Sequence, residues 1–286
     1  MQSKKTKAQI WLNNHTHVLL RCPHCHQVLN FLGNYWECQM GHRFDLARQG
    51  YGFLSKRPSD SHYQRSLFQV RREIIMDSPF YHALHHRIQT LLADMSWPTI
   101  LDAGSGEGSH LYKITQDLGQ YTAIGIDLSK DGIYLSTDYN DSQLSLVADL
   151  ADIPLMDHQC DVILSIFSPS NYQEFHRLLK PHGKLIKVVP NSGYLQEIRQ
   201  VMSNQGWMKE QDYENTEVVE AFCQQYPHAE IQKIHEQVAL DDTMRRKLIR
   251  MTPLTWNLQE DQLELLAQRL SETLTLDVSL LIHQQV

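Results

Sequence analysis

From Leu67 the apolar residues Val70, Ile74, Ile75, Leu84, Ile88, Leu91 and Leu92 follow at helical spacing, broken near Pro79. Beyond residue 96 the rhythm changes to short, nearly unbroken apolar runs alternating with amphipathic ones. Residues 99–103 precede a predicted helix over 111–118. Residues 121–126 lead into Asp127, 144–148 into Asp149, and 160–167 into Ser168-Pro169-Ser170-Asn171. A helix over 172–179, the turn Pro181-His182-Gly183 and a strand over 184–189 complete the series. Runs this apolar suit strands covered on both faces, and their alternation with helices predicts an α/β fold with a mainly parallel, Rossmann-like sheet. Residues 203–247 are polar, rich in Glu and read as mainly helical; residues 274–282 read as a closing strand at the sheet edge.

Chemistry gathers where those strands end, the place where sheets of this kind bind ligands. The first strand ends in Asp102 and the turn Gly104-Ser105-Gly106-Glu107-Gly108. Glycines there let the backbone approach a ligand more closely than a β-carbon would allow. Asp127, twenty-five residues after Asp102, is placed to accept both ribose hydroxyls of an adenosine, and Asp149 to meet the adenine amine. Taken singly, each aspartate could equally be a strand-end or helix-capping residue.

Ahead of this core, Cys22-Pro23-His24-Cys25 is followed after twelve residues by Cys38-Gln39-Met40-Gly41-His42. Two knuckles around a hairpin near Gly33-Asn34 bring Cys22, Cys25, Cys38 and His42 together as a closed Cys3His set, the pattern of structural Zn2+. A redox Cys-x-x-Cys lacks its strand–helix context here. Cys160 and Cys223 are expected as unpaired thiols, and five cysteines so distributed suit a reducing, cytoplasmic setting.

Net charge is −7, but it is unevenly spread. Through Arg87 there are 12 Lys/Arg against 5 Asp/Glu, and thereafter 14 against 28. A basic head on an acidic body is expected where the head meets a polyanion. Arg43, Arg48, Lys56, Arg57, Arg65, Arg71 and Arg72 are interleaved with Phe44, Tyr51, Phe53, Tyr63 and Phe68, which suits phosphate contact and base stacking on loop RNA. The same aromatics could instead be interdomain core and the arginines a solvated face. The expected organisation is a zinc-ribbon module over 1–60, a helical connector over 61–96 and a catalytic domain over 97–286. No apolar run is long enough for a membrane span.

The core resembles the class I S-adenosylmethionine (SAM)-dependent methyltransferases. Over residues 20–256 the chain further resembles the RlmA-type 23S ribosomal RNA (guanine-N1)-methyltransferases, in the branch that includes tylosin-resistance enzymes. The residues that carry this are the Cys3His ribbon and His42-Arg43-Phe44-Asp45-Leu46-Ala47-Arg48, then the glycine turn and Asp127-Leu128-Ser129-Lys130. Phe167-Ser168-Pro169-Ser170-Asn171-Tyr172 and Met251-Thr252-Pro253 complete the set. The resemblance implies a SAM site that includes Tyr81, His110, Leu111 and Tyr194, although relatives commonly carry His at position 194. It also implies a 23S rRNA hairpin loop as partner, a homodimer and a link to antibiotic resistance.

Guanine N1 is protonated near neutrality, so its methylation needs loss of that proton or donation to O6. Ser168, Asn171 and Tyr172 are candidates to hold the base edge, with Ser170 expected to cap the next helix; the sequence identifies no base. Rival readings are a small-molecule methyltransferase and a non-catalytic binding protein on the same fold.

Overall fold

The computed structural model of the chain describes residues 2–58, 64–208 and 215–285. Its centre is an eight-stranded sheet built from β5 (Gly52–Phe53), β6 (Thr99–Ala103), β7 (Thr122–Asp127), β8 (Leu144–Val147), β9 (Cys160–Ile166), β10 (Leu179–Pro190), β11 (Glu230–Ala239) and β12 (Thr273–Gln284). The order is β11-β12-β10-β9-β6-β7-β8-β5. From β5 to β10 neighbours run parallel, whereas β12 pairs antiparallel with both β10 and β11. All five residues of β6 are buried, as a central strand covered on both faces requires.

The remaining strands form a small antiparallel sheet, β1 (Leu20–Arg21), β2 (Val28–Phe31), β3 (Tyr35–Cys38) and β4 (Arg43–Asp45). It folds against one face of the main sheet. Leu20, Cys22, Leu29 and Trp36 share a core with Leu101, Ile124, Leu146 and Phe175. A segment of this size cannot bury enough surface to stand alone, and here its apolar face continues that of the larger domain. Gly52 permits the join: a Cβ there would lie 2.8 Å from the Leu146 side chain and 3.1 Å from the Trp36 ring.

The helices are α1 (Lys4–Asn14), α2 (Arg65–Asp77), α3 (His82–Leu92), α4 (Ser109–Thr115), α5 (Lys130–Ser136), α6 (Tyr172–Leu178), α7 (Gln196–Asn204), α8 (Thr216–Gln225), α9 (Asp242–Met251) and α10 (Glu260–Arg269). α2 and α3 stop and restart around Pro79, where the apolar period breaks. Ile74 of α2, Leu84 and Ile88 of α3, Leu248 of α9 and Leu266 of α10 pack on the sheet face opposite the ribbon, against Ile186, Val188 and Val162.

Two expectations are corrected. Residues 230–239, read as part of a helical stretch, form β11. Only Ile234 and Val238 of that strand are buried, and this four-residue spacing imitates a helix although the backbone is an edge strand. The strand read as closing the sheet, β12, lies inside it, and β11 is the edge. Among the described residues no helix is long and apolar enough to cross a membrane.

Candidate active site and metal centre

The two knuckles of the ribbon bring Cys22, Cys25, Cys38 and His42 together, with one ligand atom from each lying within 4.8 Å of all the others. Cys22 Sγ is 3.6 Å and Cys38 Sγ 3.4 Å from His42 Nδ1, and the Cys25 and Cys38 sulfurs are 3.5 Å apart. A tetrahedron with zinc–sulfur bonds of about 2.3 Å has edges of about 3.8 Å. These spacings and three thiols therefore fit zinc, with no ligand position left over. Gly41, at φ +79°, makes the second knuckle possible, and Cys22 and Cys38 are buried. Cys160 and Cys223 are free thiols.

The glycine turn follows β6. Gly104, Gly106 and Gly108 all have positive φ, at +85°, +58° and +78°. A Cβ at Gly104 would sit 2.5 Å from that of Ser168, and one at Gly106 would strike the Arg71 guanidinium. Asp127 is held by two backbone amides, Gly106 N–H at 2.8 Å and Ser129 N–H at 2.7 Å. Asp102 is buried, and among the described residues neither its Oδ1 nor Glu107 Oε1 has a hydrogen-bond partner. Burial first, then the neighbouring carboxylates Asp127 and Glu107, push Asp102 up to about 7, while Arg71 opposes the rise. Burial also raises Asp127.

Arg71 reaches in from α2 and pairs with Glu107. It is a cation set against the carboxylates Asp102, Glu107 and Asp127. A ligand carrying positive charge, a ribose and a carboxylate would complement this arrangement, and SAM has all three. The residues gathered here therefore fit that cofactor.

One wall of the cleft is aromatic. The Tyr81 and Tyr194 hydroxyls lie 2.8 Å apart, and the Tyr81 ring meets His110 edge-on at 4.9 Å. Phe167 lies 5.6 Å from Tyr194 and 6.3 Å from His110, centroid to centroid. His110 Nδ1 is 2.9 Å from His85 Nε2. Burial lowers both imidazoles, His85 to about 3, so the pair is neutral near pH 7. Leu111 is fully buried at the start of α4. Tyr81, the adjacent pair His110-Leu111 and Tyr194, drawn from three separate stretches of the chain, thus lie together near the glycine turn.

Asp149 has a different setting. Its Oδ1 accepts from Ala151 N–H at 2.9 Å, and its Oδ2 lies 3.2 Å from Arg57 Nε. The Arg57 side chain is exposed.

Beyond β9 the loop that begins at Phe167 packs on the turn. Ser168 Oγ donates to the Ala103 carbonyl at 2.6 Å. Asn171 caps α6, its side chain accepting from Glu174 N–H at 3.2 Å. The cap expected of Ser170 therefore falls to Asn171, and Ser170 faces Lys187 and Tyr172 instead. Tyr172 packs edge-on against Phe222 and Tyr226, which leaves only its hydroxyl end polar.

Much of the basic head is spent inside the chain. Arg21 and Lys56 pair with Asp152, Arg57 with Asp149, Arg65 with Asp131, Arg72 and Lys4 with Asp138, and Lys7 with Asp141. Tyr51 and Phe68 are buried, Phe44 and Phe53 are at least partly exposed, and Tyr63 lies outside the described residues. Sequence reading grouped Arg71 with the RNA-facing basic residues, whereas it pairs with Glu107 over the glycine turn; it gave Glu107 no role of its own and did not single out His85 or Lys187. Arg71 carried a hint, standing three residues before Ile74 on the buried side of α2.

Fold and cleft together define a class I methyltransferase. Residues 101–187 match the family described as a methyltransferase domain, and residues 20–54 match the zinc ribbon described as "RlmA, N-terminal". The chain is 41% identical over 274 residues to Bacillus subtilis (strain 168) YxjB, described provisionally as a 23S rRNA (guanine-N1)-methyltransferase; 92% of this chain and 96% of that one are covered. It is 28% identical over 258 residues to the Streptomyces fradiae 23S rRNA (guanine(748)-N1)-methyltransferase, covering 88% and 90%. A Haemonchus contortus phosphoethanolamine N-methyltransferase shares the fold at a TM-score of 0.51 and 14% identity, over 79% of this chain and 58% of that one. The chain belongs to the RlmA-type family of 23S rRNA (guanine-N1)-methyltransferases.

Proposed function

We propose that the chain methylates N1 of a guanine in a hairpin loop of 23S rRNA in the cytoplasm, with the zinc module aiding target recognition. The observation that carries this reading is the Arg57–Asp149 pair. It ties the segment leaving the ribbon to the carboxyl end of β8, beside the cofactor cleft. RNA held by the ribbon would then lie next to the transfer centre. Leu32, Met40 and Phe53 are exposed, and the Arg43 guanidinium lies 3.7 Å above the Tyr35 ring. Exposed apolar side chains and an arginine stacked on an aromatic ring are groups that suit unpaired bases.

In the division of labour we infer, residues 1–60 recognise RNA, 61–96 connect the modules and cover the cleft, and 97–286 carry out transfer. The connector takes part in the site through Arg71 and Tyr81. SAM supplies an electrophilic methyl group. Asp102 would hold its ammonium, Asp127 the ribose and Arg71 the carboxylate, while Tyr81, His110 and Tyr194 wall the reacting end. Ser168 would face the base edge. Because N1 is occupied in a duplex, the guanine must be looped out.

The test compares hairpin and fully paired fragments of 23S rRNA as methyl acceptors, with the unaltered chain and Cys22→Ser. The reading expects methylation of the hairpin alone, and loss of RNA binding with cofactor binding kept in Cys22→Ser. Equal methylation of both fragments, or transfer to a small aromatic acceptor instead, contradicts it. A homodimer belongs to the same proposal and is checked by sedimentation equilibrium.

A further inference from the structure

Lys187 is buried, only 5% exposed, and no carboxylate pairs with it among the described residues. It stands on β10 opposite Ser165 of β9 and Leu281 of β12, at the carboxyl end of the parallel region. Its Nζ donates to the Ser168 carbonyl at 3.0 Å and to Ser170 Oγ at 2.8 Å. Ser165 Oγ lies 3.1 Å from Ser168 Oγ and 3.3 Å from Ser170 Oγ, closing a small polar cluster. Ser168 abuts Gly104, so one hydrogen bond separates this ammonium from the residue that packs on the cofactor turn. Phe167, at the entrance to the loop, holds a φ of +53°, a conformation unfavourable for a bulky residue and common at working sites.

The titratable groups gathered around Tyr172 of α6 on this face are Cys223 of α8, Tyr226 directly after α8, and His283 of β12, which stacks on Tyr226; Cys160 and the ribbon cysteines share the same face. Burial raises both phenols and lowers the imidazole, so none of these three supplies a counter-charge near neutrality. Burial alone lowers Lys187, to about 8. An ammonium sequestered without an anion is costly, and an anion arriving beside it would relieve that cost.

We propose that Lys187 is a positioning residue for the acceptor. Its charge, delivered through Ser168 and Ser170 at the end of β9, favours the N1-deprotonated, enolate-like form of the guanine entering beside this loop. The inference rests on the guanine-N1 reading above. The N1 proton leaves to water. The freed pair on N1 would form the bond to the methyl carbon as the carbon–sulfur bond breaks, and the carbon–sulfur bonding pair would stay on sulfur, neutralising the sulfonium. No oxidant or reductant is needed. A positive charge nearby typically favours the ionised form of an acid by about one to three pKa units.

The experiment is single-turnover methylation of a 23S rRNA fragment from about pH 6 to about pH 10; the rising limb reports the acceptor's ionisation, and above about 8 the unaltered chain also loses the Lys187 charge. The unaltered chain, Lys187→Met, Lys187→Arg and Ser170→Ala are compared, with cofactor affinity measured for each. Lys187→Met is expected to bind cofactor normally, move the limb up by about one unit or more and lose about tenfold or more of the rate near pH 7. Lys187→Arg is expected to restore the limb, and Ser170→Ala to move it in the same direction by less. A uniform fall with an unmoved limb, or no fall, overturns the proposal. Should Lys187→Met fail to bind cofactor through misfolding, an unmoved limb in Ser170→Ala overturns it instead. Absence of 1-methylguanosine with the unaltered chain overturns the function reading and this inference together, whereas product with an unmoved limb sinks the inference alone.

Discussion

Tyr81 and Tyr194, 113 residues apart, bring their hydroxyls within 2.8 Å of each other beside the glycine turn. Tyr81 is buried, so Tyr194→Phe would leave its hydroxyl without that partner. Loss of one such bond costs about 1 kcal/mol, or somewhat more where the remaining group stays dry. Tyr194→Phe is expected to lower stability by about that amount and to weaken SAM binding by about threefold to tenfold. Urea unfolding and calorimetric titration check both; unchanged affinity would remove Tyr194 from the cofactor wall.

Arg71 depends on Glu107. The Glu107 side chain is fully buried, and Arg71 lies across Gly106. Glu107→Gln keeps the shape but strands the guanidinium among fewer anions. Breaking a buried pair on one side typically costs about 3 kcal/mol or more. The expected outcome is a clear drop in the unfolding midpoint together with weaker cofactor binding. Arg71→Met, which removes the cation, should weaken binding of SAM more than that of an analogue lacking the carboxylate.

Asp102 makes the cofactor-free protein sensitive to pH. Its folded pKa, about 7, lies above its ordinary value because of burial. The folded form therefore binds the proton more tightly than the unfolded chain does. The stabilisation is complete below the unfolded pKa, near about 4, and is lost as pH rises through about 7. Unfolding measured across that window should show this loss, and Asp102→Asn should flatten it. Cofactor affinity should run the opposite way, rising toward pH 7 as the carboxylate ionises to meet the ammonium. An affinity that falls with pH would contradict the assignment.

Chelation of zinc should reach beyond the ribbon. Trp36 and Cys22 share a core with Leu101, Ile124 and Phe175 of the main sheet. Removal of the metal, or Cys25→Ser, is expected to shift tryptophan fluorescence to the red and to lower the melting temperature of the whole chain. The cofactor cleft does not use the ribbon ligands, so SAM binding should suffer less than RNA methylation. Chelation that leaves fluorescence and melting unchanged would argue against a metal-held ribbon.

Strands β6 to β9 were legible because burial on both faces leaves them mostly apolar, without the alternation of a half-exposed strand. The ribbon was legible from ligand spacing, since metal geometry admits few alternatives. β11 was not, because its two buried residues are four apart and its identity as a strand comes from pairing with β12. The basic head misled for a related reason: a count of charges does not show that Arg21, Lys56 and Arg72 close onto carboxylates more than sixty residues away. Lys187 sits in the apolar run Leu185-Ile186-Lys187-Val188-Val189, where a lone cation inside a buried strand already marks an unusual position. What its ammonium meets depends on the loop folding back over β9, which no local pattern reveals.

The most direct test is transfer of labelled methyl from SAM to 23S rRNA lacking its native modifications, followed by nuclease digestion and nucleoside mass spectrometry. The account predicts 1-methylguanosine, abolished in Asp102→Ala and in Cys22→Ser. No label in the RNA, with cofactor binding intact and the same RNA accepted by a control enzyme, would contradict it.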